Sequence, residues 1–312
     1  MKLFYTDHFE LPLPDGHRFP MSKYRLLRDR IVKSDQHKND VLLVPPAASK
    51  FQLSLAHDPR YVERVFLGSL TPPEIKRIGF PWSEKMVERS CRSSGATLMA
   101  ARAAISESVS VNLAGGTHHA MYDTGEGYCV FNDAAVTIRT LRYEGLISKA
   151  LVVDCDVHQG NGTAQILAND PSVFTFSIHG EKNFPLRKHP GSLDIELPDG
   201  TRDDQYLDSL HGGLEKSFQH GPYDLMIYLA GADPYEHDRL GRLALTKAGL
   251  LARDKLVLEF ADRTSTPIAV AMAGGYAPSI EDIVDIHAAT IGAASEYHFR
   301  ANCVPSNRGK SI

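Results

Sequence analysis

The chain has 312 residues, of which 43% are hydrophobic and 23% charged, with a formal net charge of −4. This composition is typical of a globular protein with a sizeable core, and the acidic balance does not favour a nucleic-acid surface. No apolar run approaches the roughly 20 residues of a membrane span, and the acids and prolines that follow Lys2 do not fit a secretory signal. Cys91, Cys129, Cys155 and Cys303 form no CxxC pair, which favours a cytoplasmic protein without disulfides or a thiolate metal site.

Short apolar runs alternate with amphipathic stretches along the chain. The runs at 41–44, 111–114, 150–153, 173–178, 225–230 and 268–273 predict buried parallel strands. Stretches with helical periodicity at 84–105, 132–144, 243–262 and 280–297 predict helices. This alternation indicates one α/β domain over 1–312, with three layers: a central, mostly parallel β-sheet flanked by helices. No linker or repeat divides the chain, and we expect a loose polar tail from about residue 300.

Four of the predicted strands are followed directly by polar or glycine-rich segments. These segments are 115–119, 154–158, 231–233 and 274–276. Ligands of open α/β sheets bind beyond the carboxyl ends of the strands. Four such segments are hard to explain by packing alone, and they predict a functional site at that edge of the sheet.

Asp156, His158 and Asp233 form a candidate metal site. Asp156 and His158 occupy alternate positions of an extended segment and can face the same way, and Asp233 would complete a three-ligand site that leaves room for water. One nitrogen and two oxygens suit zinc, and Fe(II), Co(II) or Mn(II) could also bind. The alternative is that both aspartates are helix N-caps; the nearby histidine makes that interpretation weaker.

The adjacent histidines His118 and His119 follow two glycines, which let the backbone pass close to a substrate. A histidine exchanges protons near neutral pH and acts best as a base when an acid or amide fixes its tautomer. Asp154 and Asn161 are available for that task. Tyr276 either caps a turn or directs its phenol at a developing oxyanion.

Several motifs together resemble the histone deacetylase superfamily in order and spacing over nearly the whole chain. They are HRFPMSKYRLL (17–27), GGTHHA (115–120), GEGYCVFND (125–133), DCDVHQGNGT (154–163), GADPYEHDRLGRL (231–243) and AGGY (273–276). Gln159, where most zinc deacetylases have a second histidine, and Asn161 make the chain most similar to class IV and bacterial class IV-like members.

The resemblance implies an arginase–deacetylase fold, a single zinc ion and hydrolysis of an N-acyl-lysine or a related amide. It implies that the zinc ligands are Asp156, His158 and Asp233. It implies that His118 pairs with Asp154 and His119 with Asn161. His119 is then the favoured general base and acid, His118 acts mainly through its charge, and Tyr276 is the oxyanion donor.

The resemblance also implies an acyl-lysine tunnel and a second ion. The tunnel would be lined by Gly127, Tyr128 and Phe184. A structural potassium ion would be held by backbone carbonyls of Asp154, Asp156, His158, Ser177 and Ile178.

The sequence departs from the family pattern in two places. Segment 79–83 lacks the aspartate with which many members grip the substrate backbone, which weakens any inference about peptide binding. Asn161 replaces an aspartate, and an amide carries no full charge. We therefore expect the pKa of His119 to be less strongly raised than in an aspartate-paired relative.

Two other functions are alternatives to the deacylase. A dimetal ureohydrolase-like enzyme would need a further acid in a D-x-H-x-D run, where this chain has Gly160. A binding module without turnover would be expected to lack a ligand, a histidine or the tyrosine, and none is missing. Acetyl-lysine in proteins, longer acyl-lysines, acetylated polyamines and small amides all fit the same core residues, and the family includes monomers, dimers and tetramers.

Overall fold

The six predicted apolar runs form the greater part of a single parallel β-sheet in the computed structural model, which describes residues 1–303. Within these residues the strands are β1 (Lys2–Phe4), β2 (Val41–Leu43), β3 (Val109–Asn112), β4 (Ala150–Asp154), β5 (Val173–Gly180), β6 (Leu193–Leu197), β7 (Leu225–Leu229) and β8 (Ile268–Ala271). Their order across the sheet is β2-β1-β3-β8-β7-β4-β5-β6. Every pairing between neighbours is parallel.

Helices cover both faces of this sheet. They are α1 (Lys23–Val32), α2 (Lys50–Ser54), α3 (Pro59–Leu67), α4 (Pro72–Ile78), α5 (Glu84–Glu107), α6 (Asp133–Tyr143), α7 (Asn161–Leu167), α8 (Asp203–Phe218), α9 (Lys247–Arg263) and α10 (Ile280–Cys303). Helix α10 continues through Cys303, beyond the start of the expected tail, and the rest of that tail, 304–312, lies outside the described residues. None of the helices within residues 1–303 combines the length and the apolar sequence that a membrane span requires.

Alternating residues of the central strands build two hydrophobic cores, one on each face of the sheet. In strand β4, Leu151 and Val153 belong to the core that includes α8, α9 and α10, whereas Ala150 and Val152 belong to the core that includes α5 and α6. Successive side chains of a strand point to opposite faces, so an uninterrupted apolar run is what a strand buried on both sides requires. The expected three-layer α/β architecture is confirmed.

The elements that the sequence analysis did not predict lie mostly at the edges of the sheet or are short. Strand β1 has three residues, and β6 forms one edge with a partly exposed, charged sequence. Helix α9 begins at Lys247 rather than at residue 243, because Thr246 caps it and accepts from the Gly249 N–H. Just before this cap, the Leu245 N–H instead donates to the Pro234 carbonyl in the loop after β7.

The four strands that precede the polar segments lie side by side, in the order β3-β8-β7-β4. Because all are parallel, their carboxyl ends meet at the same edge of the sheet. The chain order also changes direction among these strands, which is where open α/β sheets form a crevice. The fold therefore gathers the segments 115–119, 274–276, 231–233 and 154–158 at one place.

Candidate active site

Buried polar contacts fix the loop after β3 that carries the two histidines. Gly115 and Gly116 have φ angles of 83° and 72°, which residues with a side chain rarely adopt, and a Cβ at Gly116 would overlap Ala273. The buried Asp133, at the start of α6, accepts from the N–H groups of Gly116 and Thr117, both at 2.8 Å. The sequence analysis missed Asp133, for which an acid in the first turn of a predicted helix was the available signal.

His118 and His119 direct their Nδ1 atoms at two different partners. His118 Nδ1 donates to Asp154 Oδ2 at 2.7 Å, and His119 Nδ1 donates to Asn161 Oδ1 at 2.7 Å. Both histidines are buried, and their ring centroids are 4.2 Å apart. A neutral imidazole that donates from Nδ1 keeps Nε2 as an acceptor. Asn161 therefore selects the His119 tautomer in which Nε2 can take up a proton.

The two partners give adjacent histidines opposite pKa shifts. Burial lowers the pKa of His118, but the charges of Asp154 and Asp156 outweigh burial and raise it from 6.5 to about 9. Burial lowers the pKa of His119 well below its ordinary value, the charge of His118 lowers it further, and the hydrogen bond to Asn161 offsets only part of this. We expected this pKa to be raised less than beside an aspartate; burial instead takes it below the ordinary value.

Asp156, His158 and Asp233 each bring one potential ligand atom to a common point, and these atoms lie within 4.8 Å of one another. His158 Nδ1 is 2.9 Å from Asp156 Oδ1 and 3.3 Å from Asp233 Oδ2. All three side chains are buried, and Asp233 Oδ2 has no hydrogen-bond partner. The helices that follow are capped by Gly160 and Thr246, so neither aspartate is an N-cap.

The backbone approaches the two carboxylates closely, through glycines. A Cβ at Gly274 would overlap Asp233 Oδ2, and one at Gly231 would lie 2.7 Å from Asp156 Oδ2. The Gly274 N–H donates to Asp156 Oδ2 at 2.8 Å. Arg253 of α9 is fully buried and donates to the Gly231 carbonyl at 2.6 Å. The sequence analysis missed Arg253, because an arginine in an amphipathic helix ordinarily indicates the solvent face.

The charges of this cluster suit a divalent cation. Burial raises the pKa of Asp233, and the charge of Asp156 raises it further, to about 7. Burial lowers the pKa of His158, but its hydrogen bond to Asp156 and its ion-pair contact with Asp233 outweigh burial and raise it to about 10. The carboxylates thus retain a proton on the histidine between them, and metal binding releases such protons. A metal cation that replaces this proton would also bind the unpartnered Asp233 oxygen. The donor set therefore fits a zinc-type ion.

A cavity of about 540 Å³ is lined by Asp156, His158, both adjacent histidines and Tyr276, and also by exposed residues at the surface. The Tyr276 N–H donates to Asp238 Oδ2 at 2.6 Å. Burial raises the pKa of the Tyr276 phenol well above 10, so its hydroxyl stays protonated and can donate. The structure therefore opens a route from the surface to the cluster, with Tyr276 in its wall.

A buried lysine supports the segment that carries Tyr276. Lys23 of α1 donates to the carbonyls of Ala273 and Gly275, both at 3.4 Å. Its Nζ also lies 5.4 Å from the centroid of the Tyr276 ring. The motif at 17–27 contains Lys23, but its spacing does not predict this contact.

The three residues predicted to line a tunnel all line this cavity. Gly127 has a φ of 55°, and a Cβ there would lie 2.8 Å from His119 Cδ2. The Tyr128 ring packs 5.2 Å from that of Phe19. The Phe184 ring packs edge-on against His119 at 4.9 Å. These aromatic faces make a narrow apolar wall next to the histidine pair.

A carboxylate that the sequence analysis did not consider lies beside Asn161. Asn161 Nδ2 donates to Glu126 Oε2 at 3.3 Å, and Glu126 also lines the cavity. Asn161 therefore connects His119 on one side to a carboxylate on the other. The available signal in the sequence was the acid two residues before Tyr128. Its contact with Asn161 joins positions far apart in the chain, which the sequence does not reveal.

The residues expected to hold potassium come from two adjacent strand ends. Asp154, the last residue of β4, is paired with Ser177 of β5, and Ile178 follows directly. Asp156 and His158 continue the chain beyond β4. Coordination of an ion by their carbonyls stays a prediction.

These observations define an α/β protein with a buried two-carboxylate, one-histidine cluster beside an oriented histidine pair. Residues 17–291 match the family model of the histone deacetylase domain. An uncharacterized protein of Picosynechococcus sp. is 41% identical over 94% of this chain and 98% of its own length. Histone deacetylase 2 of Arabidopsis thaliana is 27% identical over 86% of this chain and 72% of its own length.

The fold comparison agrees with the sequence comparisons. The crystal structure of a histone deacetylase homolog from Aquifex aeolicus matches with a TM-score of 0.80 at 23% identity, covering 95% of this chain and 84% of that one. The chain belongs to the histone deacetylase family and has its arginase–deacetylase fold. Its assignment to the class IV-like members stays a prediction.

Proposed function

We propose that this chain is a zinc-dependent deacylase that hydrolyses an N-acyl-lysine, or a related N-acyl amine, to a carboxylate and a free amine. One observation carries the proposal: the unpartnered Asp233 oxygen converges with Asp156 and His158 at a cavity that also contains an oriented, neutral histidine. Bound by these three residues, zinc would polarise the acyl carbonyl and lower the pKa of a water molecule towards about 7.

In this proposal His119 is the general base and acid. Asn161 holds the Nδ1 proton, so Nε2 is left to accept a proton from the attacking water and to return it to the departing amine. Because its pKa is low, His119 is unprotonated before the reaction, as a base must be. His118, protonated beside Asp154, contributes positive charge rather than proton transfer.

Tyr276 and the aromatic wall complete the proposed machinery. The protonated Tyr276 hydroxyl would donate to the oxyanion as the carbonyl becomes tetrahedral. Gly127, Tyr128 and Phe184 would enclose the aliphatic part of the acylated side chain and exclude water from it. The structural neighbour that was crystallised with SAHA is a histone deacetylase homolog, which supports the use of hydroxamates as probes of this cavity.

One metal ion per chain fits the site better than two. A side chain at Gly160 would overlap Asp154 Oδ2, so the position where a dimetal relative needs an acid has no room for one. Among the described residues, Asp156, His158 and Asp233 form the one cluster suited to a metal ion. Metal analysis that finds two tightly bound ions per chain would favour the ureohydrolase-like alternative.

The deciding experiment assays the zinc-replete protein on acyl-lysine peptides of increasing acyl length, acetylated polyamines and small amides. Hydrolysis of any of these supports the proposal. Tyr276→Phe should keep its zinc and lose about 10²–10³-fold in kcat, whereas Asp233→Ala should lose the zinc itself. A protein that binds zinc and hydroxamates but cleaves none of the amides would instead be an acyl-ligand-binding module.

The proposal also includes a cytoplasmic location and a structural potassium ion. Cys91, Cys129 and Cys155 are buried free thiols, which suits a reducing compartment.

Potassium binding is tested by exchange of the protein into sodium or caesium buffers. Thermal unfolding then measures whether the loss of potassium lowers the stability of the protein.

A further inference from the structure

The mouth of the cavity carries exposed cations although the chain as a whole is acidic. Lys76 and Arg77 at the end of α4, Lys182 after β5 and Arg242 after β7 line the cavity and are exposed at the surface. The formal net charge of the chain is −4. The positive charge at the mouth is therefore local and not a property of the whole surface.

Three of these cations have no compensating acid. Arg242 forms an ion pair with Asp199 at 2.7 Å. Among residues 1–303, no carboxylate lies within ion-pair distance of Lys76, Arg77 or Lys182, which we call the rim cations. Exposed lysines and arginines with free head groups act on a charged ligand at the range of the Debye length, about 10 Å at moderate salt.

Hydrogen bonds tie the segments that carry the rim cations to residues that line the cavity. The Gly127 N–H donates to the Arg77 carbonyl at 3.1 Å, which ties the end of α4 to the wall. Beside Lys182, the Asn183 side chain donates to the Leu240 carbonyl at 2.7 Å and accepts from the Arg242 N–H at 3.2 Å. The rim cations therefore lie on segments that are hydrogen-bonded to residues lining the cavity.

The acids of the cavity are fewer than its cations. Glu126 and Asp156 are the acids that line it, and Asp156 belongs to the candidate metal cluster, whereas Arg89 and Arg242 line it together with the three rim cations. Segment 79–83, which also borders the cavity through Gly79, contains no acid. A substrate that reaches the mouth meets positive charge, which attracts carboxylates and repels amines and guanidinium groups.

We propose that the rim cations select acylated amines with carboxylates beside the acylated group, such as an acyl-lysine in an acidic peptide, and disfavour polycationic substrates. This inference rests on the proposed deacylase function. It excludes acetylated polyamines and lysine- and arginine-rich tails as preferred substrates.

The test compares three acyl-lysine peptides of equal length whose flanking residues are acidic, neutral or basic. A fourth substrate, free N-acyl-lysine with its own carboxylate, separates a small-molecule preference from a peptide preference. The expected order of kcat/KM is acidic, then neutral, then basic, with roughly a tenfold difference between the extremes at low ionic strength. Added salt should reduce this difference.

The triple variant Lys76→Glu, Arg77→Glu, Lys182→Glu should reverse the order. The matched control is Lys33→Glu, Lys38→Glu, Lys216→Glu, which changes the net charge equally at exposed positions near the amino-terminal edge of the sheet. The control should keep the wild-type order and the wild-type rate on the neutral peptide. An order that is the same in all three proteins overturns the inference.

Failure of the deacylase proposal gives a different result. In that case none of the peptides, including the neutral one, is cleaved by the zinc-replete protein. The preference is then read from binding of the same fluorescently labelled peptides. Tighter binding of the acidic peptide, reversed in the rim variant alone, supports the inference, and equal binding of all three peptides overturns it.

Discussion

His118 and His119 are neighbours in the chain and equally buried, yet the structure gives them opposite properties. His118 faces a carboxylate at 2.7 Å and has a raised pKa of about 9. His119 faces an amide at the same distance and has a pKa well below its ordinary value. Burial alone disfavours the charged imidazole in both cases. The difference therefore comes from the charge of the partner and of the other groups around each ring.

This contrast divides the labour of the site. A histidine that stays protonated supplies positive charge, and a histidine that stays neutral can accept a proton. The pair would have no such division if both residues faced carboxylates. Variants of the two histidines and of their two partners can break this division, and the histidine variants should have the largest effects.

Replacement of the histidines should give the largest effect. His119→Ala removes the proposed base and should lower kcat by about 10²–10⁴-fold, while His118→Ala should cost clearly less. Both rates are measured on zinc-loaded protein with the substrate found in the panel. Zinc content and thermal unfolding serve as controls for the fold. Equal losses in the two variants, or a greater loss in His118→Ala, would contradict the division.

Asp154→Asn gives His118 the same kind of partner as His119 and should change stability with pH. The pKa of His118 is raised from 6.5 to about 9, so its protonation favours the folded state fully below about pH 6.5, and this contribution is lost as the pH rises through about 9. In chelator-treated protein, the free energy of unfolding of the wild type should exceed that of the variant at low pH. This difference should decrease across the window by up to about 3 kcal/mol. Urea unfolding at several pH values measures it, and a constant difference would refute it.

Asn161→Asp makes the opposite exchange and should affect the acidic side of the pH–rate profile. An added negative charge raises the pKa of His119, so the neutral base is lost at a higher pH and the acidic limb moves upwards. The new carboxylate would also face Glu126, which now accepts from the Asn161 amide at 3.3 Å. Because two adjacent carboxylates share a proton, the single variant should shift the limb by less than about one pH unit.

The matched variant for this prediction is Asn161→Asp combined with Glu126→Gln. It removes the second carboxylate and should show the larger shift of the acidic limb. Glu126→Gln alone should leave the limb close to its wild-type position. A profile of Asn161→Asp that superimposes on the wild type, with or without Glu126, would show that this partner does not set the pKa of His119.

The sequence determined much of the fold and the content of the site. Uninterrupted apolar runs such as 150–153 predict strands buried on both faces. Helices cover both faces of such a sheet, so no side chain of these strands is exposed to solvent. The polar segments that follow these runs identified the carboxyl edge, since parallel strands share their direction. The order and spacing of GGTHHA, DCDVHQGNGT and AGGY indicated the family, which the comparisons show.

Only the tertiary structure decided how these groups act on one another. Asp133, Arg253 and Lys23 support the site from helices whose positions in space the sequence does not reveal. The unpartnered oxygen of Asp233 and the contact between Asn161 and Glu126 depend on distances between segments far apart in the chain. The sign of the His119 pKa shift was decided in the same way, because burial is a property of the packed molecule and outweighs the single hydrogen bond that the sequence could suggest.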